Sequence, residues 1–248
     1  MTPQGWLAVL DATWTAPERV RLGEWTLRRG HGGGSRVCSV GPTGDPGLPL
    51  GEAVARAAAI CRAWGQRPIF QIGPDDDRID DHLDDLGWEV YDQSVVYAGA
   101  AQHLAASFAA AAPMTVAVRG PLAALDELWA EGGVGPARRA VMRATPAPKE
   151  TLLLRLDDRP AAALFVAAVG DTAMLHALYV GQAFRRRGLG RAAVAAAARR
   201  AAEMGATTLG LAVTAANQPA RALYGAMGMT EVCTYHYRRA PEPPCVGR

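Results

Sequence analysis

MLHALYVGQAFRRRGLGR, Met174 to Arg191, is the stretch on which the reading of the fold turns. Thr172–Val180 is an apolar run that predicts a strand, a short loop follows, and a helix begins near Gly190. Inside the loop stands Arg185-Arg186-Arg187-Gly188-Leu189-Gly190. A strand–loop–helix join exposes free backbone N–H groups at the positive end of the helix dipole. Such a helix end binds phosphate without needing particular side chains. Gly188 and Gly190 let the backbone approach a ligand closely, and the arginines add positive charge. The pattern R-x-x-G-x-G alone also describes a solvated turn. It is neither a dinucleotide-binding G-x-G-x-x-G nor a P-loop, because no G-K-[ST] follows.

The reading sharpens downstream. Gly190–Met204 is an Ala-rich helix, Thr207–Val213 a strand and Pro219–Met227 a helix, before a last strand at Met229–Tyr237. The join before that last helix reads Asn217-Gln218-Pro219-Ala220-Arg221-Ala222-Leu223-Tyr224, then Gly228-Met229. Strand, R-x-x-G-x-G, long helix, strand, then N-x-x-A-x-x-L-Y-x-x-x-G-[FM]: this order resembles the GNAT superfamily of N-acetyltransferases. The resemblance covers about Met114 to Arg239. It implies the acyl-CoA N-acyltransferase fold, an α/β (α+β) arrangement with a mixed, mostly antiparallel central sheet flanked by helices.

The resemblance also implies roles. The backbones of Leu178 and Val180 resemble the groups that bind the pantetheine arm and the acetyl carbonyl of acetyl-CoA. Arg185, Arg186, Arg187, Gly188, Leu189, Gly190 and Arg191 resemble the pyrophosphate loop. Asn217, the one asparagine of the chain, matches a position that contacts the cofactor arm; as a plain N-cap it reads equally well. Tyr224 matches the tyrosine that protonates the departing CoA thiolate, and a core aromatic on an amphipathic helix is the other reading. The Thr172–Val180 strand holds no carboxylate to take the amine's proton. His176 is the one side chain there that titrates near neutrality, and strict alternation puts it on one face with Met174, Leu178 and Val180. A structural histidine is the competing reading.

The first half repeats the pattern in reduced form. Gly51–Trp64 has helical composition, Arg67–Ile72 reads as a buried strand, Asp75–Leu86 as an acidic helix and Trp88–Ala98 as a strand. Helix-ending glycines stand 22 residues apart in one half (Gly65, Gly87) and 23 in the other (Gly205, Gly228), which points to an internal duplication. The halves are divided at the Ala-rich stretch Ala100–Pro113, giving 1–105 and 106–248. Glu24–Val40 resembles the opening of two-domain acetyltransferases whose first half is a degenerate copy of the fold. Here no R-x-x-G-x-G leads directly into the Gly51–Trp64 helix. Leu83 stands where Tyr224 stands in the second half, and Asp76 where Asn217 stands. Cofactor binding is therefore expected from the second half alone. Gly30–Ser35 reads as a hairpin loop or a phosphate cradle, and Asp75–Asp85 as a solvated face or an attractor of a cationic amine.

Composition bounds the rest. Net charge is +2, which argues for neither a nucleic acid nor an anionic membrane as partner. Of the 26 basic residues only Lys149 is lysine, so the arginines reflect coding bias as much as function. Cys38, Cys61, Cys233 and Cys245 form no C-x-x-C pair, so no metal site and no disulfide framework is expected. Apolar runs are too short to span a bilayer and Met1–Leu10 lacks a signal-peptide pattern, so a cytoplasmic protein is expected. Within Met114–Val169, Met114–Val118 is read as a strand and Leu122–Ala130 as a helix. Glu150–Leu156 and Ala161–Val169 form a hairpin about Asp157-Asp158-Arg159-Pro160. The expected activity is transfer of an acetyl group from acetyl-CoA to a primary amine of unspecified identity. A non-catalytic acyl-CoA sensor is the alternative. A homodimer is the assembly the family suggests.

Overall fold

A computed structural model of the chain describes residues 1–108, 113–118, 120 and 122–242. The first half forms α1 (Pro3–Thr13), β1 (Glu18–Leu22), β2 (Trp25–Arg29), β3 (Val40–Gly41), α2 (Leu50–Ala63), β4 (Ile69–Ile72), α3 (Asp77–Asp85) and β5 (Glu89–Ala100). A short α4 (Ala101–Ala106) leads on to β6 (Met114–Val118), α5 (Ala123–Glu131), α6 (Pro136–Ala144), β7 (Lys149–Leu156), β8 (Arg159–Val169) and β9 (Thr172–Val180). The chain then forms α7 (Leu189–Glu203), β10 (Thr208–Thr214), α8 (Gln218–Ala226) and β11 (Thr230–Arg239).

Local chemistry accounts for most of these boundaries. Thr2 caps α1 by accepting from Gly5 N–H, and Pro3 opens the helix. In α2 the buried residues Ala53, Val54, Ala57, Ala58 and Cys61 recur at helical spacing. Asp157 and Asp158, at φ 51° and 56°, make a two-residue turn between β7 and β8. Arg159 and Pro160 therefore already belong to β8 rather than to the turn.

The eleven strands among the described residues join one sheet in the order β1-β2-β3-β4-β11-β5-β10-β9-β8-β7-β6. Exchange of the last strands of the two halves makes the sheet continuous: β11 lies antiparallel between β4 and β5, and β5 lies antiparallel between β11 and β10. About the β5–β11 pair the order reads the same from both ends, with β6 as an addition. The one parallel pair in each half, β3–β4 and β9–β10, sits at equivalent places.

Helices α4, α7 and α8 cover one face of the second half, with Leu104, Leu189, Val194 and Tyr224 in the core. Helices α5 and α6 with Trp14 cover the opposite face over Leu153, Ala163 and Phe165. Helix α1 lies on that second face over the exchanged strands, with Leu10 against Val96, Tyr235 and Tyr237. Helices α2 and α3 pack on β2 and β4 through Leu27, Phe70 and Leu83. Cys38, Cys61 and Cys233 are free thiols; Cys245 lies outside the described residues. No helix among the described residues is long and apolar enough to cross a membrane.

Candidate active site

Strands β9 and β10 start together and then part. They pair from Thr172↔Thr208 to Leu175↔Leu211 and no further. Beyond that point β10 keeps its other neighbour as far as Thr214↔Ser94, and β9 keeps β8 as far as Val180↔Ala162. The edges of residues 176–180 and 212–214 are thus left facing a gap. Backbone N–H and C=O groups on such an edge take an extended ligand as they would a strand.

A bulge in β9 opens the gap. Phe165 pairs with His176 and Ala163 with Tyr179, so Ala177 and Leu178 stand opposite Leu164 alone. Ala177 takes φ 49°, a left-handed value uncommon for a residue with a side chain. The extra residue shifts the alternation by one. Leu175, Leu178 and Val180 all lie on the α7 face. His176, Ala177 and Tyr179 lie on the other, beside Trp14 and Phe165. Strict alternation, which groups His176 with Leu178 and Val180, is corrected here.

On the α7 face, the chain turns at Gln182–Phe184, anchored by buried Phe184, and enters the arginine loop. Arg186 and Gly188 are left-handed, at φ 62° and 79°. Gly188 caps α7 without a side-chain hydrogen bond, so no side chain occupies the first-turn N–H groups. Leu189 points into the core and offers only its backbone. Gly190 serves helix packing: a Cβ there would meet Leu223 Cδ2 of α8 at 2.9 Å. Three of the four arginines are tied to the protein. Arg185 lies over the Tyr179 ring and donates to Val180 O (3.3 Å), Arg187 pairs with Asp157 (2.8 Å), and Arg191 donates to Ala226 O (3.4 Å). Arg186 is exposed.

Asn217 caps α8, its Oδ1 accepting from Ala220 N–H at 3.2 Å, and is exposed. Two turns on, Tyr224 is buried beside Tyr97, ring centroids 5.8 Å apart. Burial alone pushes its hydroxyl up to about 12, and no protein group among the described residues hydrogen-bonds it. Tyr97, which sequence reading missed, comes from the exchanged β5; its hydroxyl donates to Glu231 and accepts from Arg221 Nε (3.2 Å). Nothing in its local sequence marks it, because the strand exchange alone brings it here.

His176 is buried and fully engaged. Arg36 Nη1 donates to its Nδ1 (3.2 Å), so the proton sits on Nε2, which reaches Thr13 Oγ1 (3.0 Å). Thr13 in turn donates to Val9 O (2.7 Å). Burial, then the Arg36 charge, holds the imidazole well below its usual range. Neither ring nitrogen has a lone pair free for a substrate, so the geometry gives His176 a structural place.

The face opposite α7 carries a cavity of about 220 Å³ beneath the gap. Ala177 of β9 and Ala212, Val213 and Thr214 of β10 line it. So do Arg36 and Asp92 from the first half, and Arg138 of α6. The glycine run of the first half also belongs here, since Gly33, Gly34 and Ser35 form part of the wall. In the acidic helix α3, Asp80 and Asp84 are not a free solvated face: Arg238 binds both (2.6 and 2.5 Å), and His236 binds Asp80 (2.9 Å). Leu83, at the place of Tyr224, is wholly buried, and Asp76 accepts from Gly73 N–H instead of capping α3.

Residues 122–229 match the acetyltransferase (GNAT) family. No curated protein matches the chain by sequence. In fold the chain is similar to a GCN5-related N-acetyltransferase from Kribbella flavida, with 17% identity and a TM-score of 0.73 over 98% of this chain and 97% of that one. A GCN5-related N-acetyltransferase from Sphaerobacter thermophilus gives 13% identity and a TM-score of 0.56 over 81% and 71%. A tandem GNAT protein from the clavulanic acid biosynthesis pathway gives 13% and 0.59 over 77% and 70%. At these identities the likeness is one of fold.

Proposed function

From the match of residues 122–229 to the acetyltransferase (GNAT) family, we propose that the chain transfers the acetyl group of acetyl-CoA to a primary amine within a ternary complex. The observation that carries this is the gap between β9 and β10, which runs into the uncapped N-terminus of α7. A pyrophosphate at the first-turn N–H groups of α7, with Arg186 beside it, leaves the pantetheine arm to lie along Leu178–Val180. The thioester then reaches the gap. The amine enters from the opposite face, through the cavity beneath it. As its nitrogen attacks, a β9 N–H near Val180 stabilises the oxyanion. Tyr224, held protonated by burial, donates to the departing thiolate. Asn217 fixes the start of α8 and so the height of Tyr224.

The halves 1–105 and 106–248 divide the work in this reading. The second binds the cofactor. The first, with Leu83 and Asp76 in place of the tyrosine and asparagine, supplies β5, Tyr97 and part of the amine pocket.

Calorimetric titration with acetyl-CoA tests the cofactor site, on the wild type beside Arg186→Glu and Gly188→Glu. Gly188→Glu also carries backbone strain at φ 79°, so thermal melting must accompany it. Micromolar binding that weakens at least about 10-fold in Arg186→Glu supports the site. No binding by the wild type overturns the assignment.

A further inference from the structure

The cavity beneath the gap is lined by a cation that has no ion-pair partner among the described residues. Arg36 reaches it from the first half, and its two observed partners are neutral: His176 Nδ1 at 3.2 Å and the Tyr235 hydroxyl at 3.4 Å. Its Nε is sealed from solvent and has no acceptor. Arg36 lines the cavity, and a guanidinium whose partners are neutral marks a place for an anionic acceptor. A second guanidinium stands close by. Arg138 lies against Gly34, where a Cβ would sit 3.3 Å from its Nε. Among the described residues no carboxylate lies within ion-pair distance of either arginine. The one acidic side chain on the wall is Asp92, exposed at φ 50° on β5.

We propose that the acceptor is a small amine bearing a carboxylate, an amino acid in the broad sense. Arg36 and Arg138 hold its carboxylate, Asp92 faces its ammonium, and the amino group points to the β9–β10 gap. The proposal rests on the acetyltransferase reading and names its substrate class. Two guanidinium groups against one carboxylate leave the pocket net positive, which repels polyamines and lysine side chains and suits an anionic group. The planar guanidinium fork fits a carboxylate in two parallel hydrogen bonds. A volume near 220 Å³ admits a small metabolite. In the reaction the thioester C–S bond breaks and an amide C–N bond forms. The ammonium releases one proton to solvent to become the attacking amine, the amine gives up a second as the amide forms, one proton joins the thiolate as CoA-SH, and the carboxylate passes through unchanged.

Thiol release from acetyl-CoA is measured with a panel of α- and ω-amino acids, each beside its carboxamide and its decarboxylated amine. The free acids should exceed both analogues by about 10-fold or more in kcat/KM. Arg36→Gln should erase the preference, but it also frees His176 and Tyr235 and so risks the fold. Arg138→Gln is the second variant, because Arg138 is exposed and carries no ion pair. It should raise KM for the acids about 10-fold, shrink their advantage over the carboxamides and leave the melting temperature unmoved. The proposal falls if decarboxylated amines are the better substrates, or if Arg138→Gln leaves KM for the acids as it was. It also falls if acetyl-CoA binds but no amino acid turns over. Failure to bind acetyl-CoA sinks the acetyltransferase reading beneath it instead.

Discussion

Tyr224 and His176 are both buried rings, and burial fixes the protonation of each in its neutral form. For Tyr224 that form is the one the proposed proton donation requires: a hydroxyl pushed up to about 12 keeps its proton across the physiological range. Tyr224→Phe removes the hydroxyl and leaves the ring against Tyr97. It should lower kcat about 100-fold in a thiol-release assay while calorimetry shows acetyl-CoA binding little changed. Equal turnover by wild type and variant would remove Tyr224 from the chemistry. For His176 the neutral form is a condition of folding. Its folded pKa lies below that of the unfolded chain, so the unfolded state binds more protons between the two values. The stability it supports is present above the unfolded value near 6.5 and drains as pH falls, with a slope of up to about 1.4 kcal/mol per pH unit. Melting curves of wild type and His176→Gln between pH 8 and roughly pH 5 test this. The wild type should lose more stability on acidification than the variant, and parallel losses would refute the assignment.

At the level of elements, Ala177 decides how β9 meets its neighbours. At φ 49° a side chain costs about 1–2 kcal/mol relative to glycine, partly offset by glycine's freedom in the unfolded chain. Ala177→Gly should therefore stabilise by about 0.5–1 kcal/mol and keep acetyl-CoA binding, read from urea unfolding and calorimetry. Destabilisation would mean that the bulge is not where the gap originates. This bulge marks the limit of what the sequence discloses. Helices α2, α3, α7 and α8 and strands β4, β5 and β7–β11 are legible because apolar period and glycine punctuation agree. The arginine–glycine loop proposed to take the pyrophosphate is legible for the same reason. Strand β1 is not, since its residues are mostly exposed, and β3 is two residues long and exists through pairing with β2 and β4. Helix α6 hides in an arginine-rich segment after a glycine run. An alanine gives no signal that it will take a left-handed conformation, so the face of His176 is read wrongly from alternation. The cavity draws on Trp14 after α1, the 33–36 loop, β5, α6, β9, β10 and β11, and no local pattern could assemble it.

For the whole molecule, the exchange of β5 and β11 sets what each half is worth alone. Within residues 106–248, β10 would lose β5 along its whole length, from Thr208↔Ala100 to Thr214↔Ser94. Strand β11 would lose both neighbours, β4 and β5. Tyr224 would lose Tyr97, and Arg238 would lose Asp80 and Asp84. An unpaired apolar strand edge of this length is an aggregation template. Residues 1–105 fare no better, because β4 would be left open where β11 belongs. The segment matching the GNAT family, 122–229, ends before β11 begins, so sequence kinship and the folding unit do not coincide. The expected outcome is that 106–248 expressed alone is insoluble or unfolded by circular dichroism. Co-expression with 1–105 should recover a soluble complex that binds acetyl-CoA. The intact chain should unfold in urea as one transition, with tryptophan fluorescence and circular dichroism coincident, because neither half keeps a closed sheet once the other melts. A fragment 106–248 that folds and binds acetyl-CoA unaided would show instead that β11 can return to its own half. The first half would then be an accessory to a self-sufficient second one.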